Sequence, residues 1–115
     1  MTARTRTLTI TEDLIRAYSR RGNYHSDAAH AQALGLPGLV AQGVQVAGPA
    51  FGLLLDEWGE DFLAHGELDW RFVGAVYAGE SVEARVELHD ETATVAVHNT
   101  TAGRAAVIGT ARRRI

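Results

Sequence analysis

The sequence has no cysteine and no lysine, and only two of its 115 residues are proline. Without cysteine the chain can form neither disulfide bonds nor thiolate metal sites. Its longest apolar run, around Val46–Leu55, is broken by glycine and proline and is too short to span a bilayer. The first ten residues contain no apolar core of signal-peptide length. We therefore expect a cytoplasmic protein that does not contact a membrane.

Charges of the two signs are nearly balanced. All basic residues are arginine, the net charge is −3, and 22% of the residues are charged, which is ordinary for a globular protein. The longest basic run, residues 112–114, is interpreted as a solvated terminus rather than a phosphate site. Nucleic acid is therefore not an expected partner. The length suffices for one hydrophobic core, so we expect a single domain over residues 1–115.

Three patterns organise the first half of the chain. Residues 4–10 alternate and are rich in threonine, which predicts a short strand. Residues 11–22 predict a helix of about three turns, because Thr11 suits the N-cap and a basic last turn with Gly22 suits the stop. Residues 44–58 are apolar on almost every side, which is typical of a buried helix.

From residue 68 onwards the apolar residues recur with a period of two, which is typical of strands. Short turns separate four such runs, residues 68–77, 81–90, 92–99 and 104–113. We expect these runs to form an antiparallel meander whose apolar face needs a cover. The 44–58 helix is the element that can cover it. The predicted fold class is therefore α+β, an antiparallel sheet wrapped around a central helix.

The segment that connects the two halves, residues 22–43, reads GNYHSDAAHAQALGLPGLVAQG and lacks an ordinary amphipathic pattern. It places His25, Asp27 and His30 close together, and then runs through several glycines. Imidazole and carboxylate groups are ligand types that bind metals. Nothing downstream supplies a clear fourth ligand, so we expect no metal and no other cofactor.

Each candidate side chain in this segment also has a purely structural interpretation. His25 is either a catalytic base or a histidine that satisfies backbone groups of a loop. Asp27 suits the N-cap of a helix that begins at Ala28, with a role as substitute acid as the alternative. Asn23 either orients a water molecule or holds the turn after Gly22. The residues alone leave these alternatives open.

Four stretches of the chain, in order, resemble the MaoC-like family, which includes (R)-specific enoyl-CoA hydratases and related acyl-thioester dehydratases. They are ITEDLIRAYSR, HSDAAHAQALGLPGLVAQG, RFVGAVYAGESV and VHNTTAGRAAVIGTA. The second is similar to the family segment H-x-D-x-x-x-A-x-x-x-G-x-x-x-x-(I/V)-x-(H/Q)-G. The resemblance covers nearly the whole chain and implies a single hot-dog fold.

The resemblance also implies a reaction, the reversible addition of water to an enoyl thioester of CoA or of an acyl carrier protein. Such chemistry needs a base, an acid and hydrogen-bond donors for an enolate-like oxygen. His25 matches the family histidine, and Asp27 matches the acidic residue just after it. Gly43 matches the glycine whose N–H faces the oxygen, and Gln42 stands where many members have histidine. The resemblance further implies a homodimer with the thioester tunnel along the subunit interface.

One position departs from the family pattern. The family aspartate lies five residues before the histidine, and that position is Arg20. A shortened loop would place Asn23 there instead, and asparagine can orient a water but cannot accept a proton at neutral pH. His25 is therefore expected to act as base or acid, assisted by Asn23 or Asp27. The alternative is a degenerate or repurposed domain: an isomerase or cyclase of a biosynthetic intermediate, or a thioester-binding partner of a catalytic homologue.

Overall fold

Five strands and four helices make up the described part of the computed structural model, residues 2–18, 28–36 and 38–113. In chain order they are β1 (Thr2–Thr9), α1 (Glu12–Tyr18), α2 (Ala28–Ala33), α3 (Gly43–Trp58), α4 (Glu60–His65), β2 (Glu67–Phe72), β3 (Ser81–His89), β4 (Thr92–Asn99) and β5 (Arg104–Arg112). The strands form one antiparallel sheet in the order β1-β3-β4-β5-β2, and α3 lies against it. This confirms the predicted α+β class, with a sheet around a central helix.

The face of the sheet that contacts α3 is apolar. Successive side chains of a strand point to opposite faces, and the register places Val86 opposite Val95 and Val97 opposite Val107. The buried apolar side chains of the three central strands on this face are Val82, Ala84, Val86, Ala93, Val95, Val97, Val107 and Ala111, and Asn99, opposite Val82, is a buried polar residue beside them. The period of two in the sequence predicted this alternation.

Small side chains let α3 lie close to the sheet. Ala47 and Ala50 are buried at the contact, and Leu54 continues it toward the C-terminal half of the helix. Beyond Leu54, the rings of Trp58 and Phe62 lie with their centroids 5.5 Å apart. Both rings are buried, so they close this end of the core.

The helix is less completely buried than its composition predicted. Val44 is exposed because one side of α3 faces an open groove rather than the sheet. Since α3 begins at Gly43, Pro49 lies in its interior and cannot donate the usual hydrogen bond to the carbonyl of Gln45. None of the helices in the described ranges is both long enough and apolar enough to cross a membrane.

The predicted four-strand meander is correct for β3, β4 and β5 and wrong for β2. β2 ends at Phe72 rather than near residue 77, and it pairs with β5 instead of β3. Gly109 permits this pairing, because a Cβ atom there would lie 2.7 Å from the Cα of Trp70. Beyond Phe72, the N–H of Val73 still donates to the carbonyl of Ala106 at 2.8 Å, but the regular pairing has ended. Alternation along a strand indicates its faces but not its neighbours, which explains the error.

Replacing Leu54 with alanine tests the packing of α3 on the sheet. Leu54 is fully buried, whereas Leu63 on α4 is 64% exposed and offers the same chemical change as a control. We expect Leu54→Ala to lower the free energy of unfolding by about 2–5 kcal/mol, through lost burial and a residual cavity. Leu63→Ala should change it by about 0.5 kcal/mol or less. Urea unfolding of both variants measures this, and equal losses would contradict the described packing.

Candidate active site

The predicted site residues divide into two groups. Asn23, His25 and Asp27 lie outside the described residues, so their proposed roles stay predictions. Gln42 and Gly43 are described, and Gly43 is the first residue of α3. The start of this helix is therefore the described part of the predicted site.

The N-terminus of α3 lacks the usual capping groups. Gln42 has an extended backbone (φ −68°, ψ 144°), and its side chain forms no capping hydrogen bond. The first backbone bond, from the N–H of Val46 to the carbonyl of Gln42, measures 3.1 Å. The N–H groups of the three preceding residues have no helical acceptor, and the first turn contains no acidic residue. The partial positive charge of this helix end therefore lacks a carboxylate counterpart in its first turn.

The helix α1 shows the contrast. There the Thr11 hydroxyl accepts a hydrogen bond from the N–H of Leu14 at 3.1 Å. Glu12 and Asp13 supply negative charge to the first turn. Both features stabilise a helix start. α3 has neither, so the start of α3 is suited to receive an electron-rich group from outside the helix.

Two short segments fix the position of this helix start. The N–H of Ala41 donates to the carbonyl of Val76 at 2.9 Å, and the N–H of Ala78 donates to the carbonyl of Leu39 at 2.9 Å. Leu39 and Val76 are also fully buried or nearly so. The residues before α3 are therefore held against the residues that follow β2.

A cavity of about 370 Å³ lies at this place, and we call it the helix-start cavity. Its described lining is entirely apolar or glycine: Ala41, Gly43, Val46, Phe72, Val73, Gly74, Ala75, Val76, Ala106 and Val107. Gly74 lets its wall approach β5, because a Cβ atom there would collide with the carbonyl oxygen of Ala105. Polar groups in this wall come from the backbone alone.

The ring of Phe72 covers Gly43. A Cβ atom built on Gly43 would lie 2.6 Å from Cδ1 of Phe72 and 2.9 Å from both Cγ and Cε1. Residue 43 therefore has to be glycine while the ring keeps this position. Phe72 was not among the predicted site residues, since its contact with Gly43 depends on where β2 pairs.

A second cavity lies along the exposed side of α3, and we call it the α3–β2 groove. Its volume is about 650 Å³. Its described lining is apolar except for one amide side chain: Val44, Gln45, Ala47, Gly48, Phe51, Leu68, Trp70 and Phe72. Apolar surface of this kind suits a hydrocarbon chain or another apolar partner.

Gln45 connects α3 to α1. Its Nε2 donates to the carbonyl of Leu14 at 2.7 Å, while its Oε1 is buried and finds no hydrogen-bond partner among the described residues. α1, whose C-terminal end leads into residues 19–27, is thereby fixed beside the first turn of α3. Gln45 was not among the predicted site residues, although the sequence carries a signal: it is the only polar side chain between Gly43 and Leu55.

The structure does not test whether His25, Asp27 and His30 bind a metal. Within the described ranges, no three histidine, aspartate or glutamate side chains are grouped so that they could hold a metal ion. The side chains of His25, Asp27 and His30 are not among those described.

Comparison with known proteins places this geometry in context. Residues 1–109 match the family model described as MaoC like domain. No match was found among curated proteins. The chain is similar in structure to R-hydratase PhaJ1 from Pseudomonas aeruginosa in the unliganded form, with 22% sequence identity and a TM-score of 0.77 over 96% of this chain and 77% of that one.

Two further solved structures are similar over almost their full length. The (R)-hydratase from A. caviae involved in PHA biosynthesis is 19% identical, with a TM-score of 0.77 over 98% of this chain and 95% of that one. A chain of the ChsH1-ChsH2 complex from Mycobacterium tuberculosis is 17% identical, with a TM-score of 0.75 over 98% and 96%. At such identities the likeness concerns the fold, and it confirms the predicted hot-dog fold.

The contact between Gly43 and Phe72 can be tested by a double-mutant cycle. We expect Gly43→Ala to destabilise the protein, because the new methyl group displaces the Phe72 ring. In a Phe72→Ala background the same change should be neutral or stabilising, since alanine favours helix over glycine. The expected coupling is about 0.5–3 kcal/mol, measured by urea unfolding. Additive effects of the two substitutions would show that the ring does not occupy this space.

Proposed function

The chain belongs to the MaoC-like family of hydratases and dehydratases, and we propose that it adds water reversibly to an enoyl thioester of CoA or of an acyl carrier protein. The observation that supports this most directly is the uncapped start of α3 at Gly43, which lines the helix-start cavity. When water adds to C3, negative charge develops on the thioester oxygen. Backbone N–H donors and the helix dipole at this position would stabilise that charge.

The apolar walls of the helix-start cavity support the same function. Exclusion of water strengthens each hydrogen bond and each dipole that acts on the developing charge. Val46 and Val76 are among the apolar residues that line the helix-start cavity, and the α3–β2 groove beside it has further apolar surface. Ligand pockets typically combine apolar walls with a few polar groups that fix the orientation. An acyl thioester, with one polar carbonyl on a hydrocarbon chain, has the matching chemistry.

We propose His25 as the group that transfers protons. In the hydration direction it takes a proton from water, the water oxygen bonds to C3, and C2 receives a proton as the enolate collapses. Asn23 orients the water, or Asp27 acts as the second acid or base. The hydrogen bond from Gln45 to α1 supports this arrangement, because it fixes the element that leads into residues 19–27 beside the first turn of α3.

The alternative of a degenerate or repurposed domain rests on the missing family aspartate, whose position is Arg20. Neither the described residues nor the comparisons favour it. The cytoplasmic location and the lack of a cofactor also stay predictions from the sequence. An activity assay separates the two functional hypotheses.

Crotonyl-CoA hydration, followed by loss of the enoyl-thioester absorbance, tests the proposed reaction. We expect activity in the wild type and a loss of about 10²–10⁴-fold in His25→Ala, the usual contribution of a general acid or base. His98→Ala is the matched control, because His98 is an exposed residue on β4. Asn23→Ala and Asp27→Ala then identify the second group.

Full activity in His25→Ala, with its fold intact by circular dichroism, would refute the proposed role of this histidine. A wild type that hydrates neither crotonyl-CoA nor longer enoyl thioesters would favour the repurposed-domain alternative instead.

We also propose that two copies associate along β2. This strand lies at one edge of the sheet, and sheet edges readily pair with another chain. Exposed apolar side chains lie on and beside it, namely Leu68, Phe72 and Val73. The opposite edge differs in character, because Arg4 and Arg6 of β1 pair with carboxylates of α3 at 2.7 and 2.5 Å. An apolar strand edge is the better contact for a second copy.

Placing a charge on this edge tests the proposed dimer. Leu68 on the α3 side of the sheet and Ile108 on the other side are similarly exposed, at 44% and 42%. We expect sedimentation velocity to give the mass of two chains for the wild type and for Ile108→Lys. Leu68→Lys should shift the protein toward one chain, because a buried unpaired charge opposes association. A monomeric wild type, or dimers of all three, would contradict association through β2.

A further inference from the structure

We propose that Phe72 limits which acyl chains the site accepts, because its ring separates the helix-start cavity from the α3–β2 groove. This inference rests on the proposed function, since it assigns a specificity-determining residue to that same site. It concerns the length of the hydrocarbon chain rather than the chemistry at the thioester. The enzyme would therefore prefer short acyl groups, and the identity of residue 72 would set that preference.

The two cavities share one described lining residue. Phe72 lines both, whereas Gly43 and Val46 line only the helix-start cavity, and Val44 and Ala47 line only the groove. Gly43 and Val44 are neighbours in the chain, so the two cavities approach each other at the first turn of α3. Phe72 is therefore the described side chain at which the two cavities meet.

The contact with Gly43 places the Phe72 ring at the boundary between the two cavities. The Phe72 ring occupies the volume that a side chain at residue 43 would fill. A thioester carbonyl bound at the start of α3 would consequently have this ring beside its acyl chain. With the ring in place, an acyl chain would have only the helix-start cavity, whose volume of about 370 Å³ is at the low end of the range for ligand sites.

The groove beyond the ring is suited to the rest of a longer chain. It measures about 650 Å³, and Phe51, Leu68 and Trp70 give it an apolar wall. Removing the Phe72 ring would join it to the helix-start cavity. Because the Phe72 side chain is 54% exposed, its truncation should leave the folded state intact.

Relative turnover of short and long substrates tests the inference. We would compare kcat/KM for crotonyl-CoA and trans-2-decenoyl-CoA in the wild type and in Phe72→Ala. The expected result is that the wild type prefers the short substrate and that Phe72→Ala shifts the ratio toward decenoyl-CoA by about tenfold or more. Phe72→Tyr keeps a ring and should retain the wild-type ratio.

Ile108→Ala is the matched control, because Ile108 is similarly exposed, lies on the neighbouring strand β5 and lines neither cavity. This substitution removes an apolar side chain on the other face of the sheet, so the ratio should stay near the wild-type value. Sedimentation velocity on each variant shows whether the oligomeric state is unchanged. An unshifted ratio in Phe72→Ala, or an equal shift in Ile108→Ala, would overturn the proposed role of Phe72.

A binding measurement separates this inference from the proposed reaction. Butyryl-CoA and decanoyl-CoA carry no double bond and cannot be hydrated, so calorimetric titration reports binding alone. We expect Phe72→Ala to bind decanoyl-CoA about tenfold more tightly than the wild type and butyryl-CoA equally well. If Phe72→Ala binds decanoyl-CoA more tightly but the protein hydrates no enoyl thioester, the proposed reaction is refuted and the proposed role of Phe72 is supported. If the protein hydrates enoyl thioesters but Phe72→Ala leaves the relative affinities for butyryl-CoA and decanoyl-CoA unchanged, the proposed role of Phe72 is refuted and the proposed reaction is supported.

Discussion

The burial of α3 against the sheet is the contact on which the rest of the molecule depends. Between Gly43 and Leu55 the helix has one polar side chain, so exposure of this stretch to water would be unfavourable by about 25 cal/mol per Å² of apolar surface. Ala47 and Ala50 let the sheet come close enough to bury it. The strands have to wrap around the helix, and the position of its first turn then decides where a polar ligand can enter the core.

Departures from ordinary helix rules are concentrated in the first two turns of α3. Gln42 provides no side-chain cap, Gln45 has a buried oxygen without a partner among the described residues, and Pro49 removes one backbone hydrogen bond. A missing cap alone costs about 1 kcal/mol. Such departures are expected where a site needs unpaired polar groups, because satisfying them locally would leave nothing for a ligand. The C-terminal half of α3, from Leu53 to Trp58, packs in the ordinary way.

The sequence allowed the faces of the strands and the start of the central helix to be predicted, since both follow from local periodicity and from a motif of fixed spacing. It did not allow the position of β2 beside β5 to be predicted, because strand pairing is decided by contacts between residues that are far apart in the sequence. The contact between Phe72 and Gly43 could not be predicted for the same reason. α4 escaped notice because its six residues are too few for a periodic signal. Gln45 was overlooked although its isolation in an apolar run marked it.

The absence of the family aspartate is weaker evidence against catalysis than its place in the motif implies. A general acid or base usually contributes 10²–10⁴-fold to a rate, whereas preorganised donors at a developing oxyanion are often the largest single contribution. The structure keeps the feature that would supply this larger contribution, an uncapped helix start at Gly43 within apolar walls. A domain that only bound a thioester would gain less from that feature, because the ground-state carbonyl carries little charge. The start of α3 therefore fits the proposed reaction better than it fits a partner that only binds a thioester.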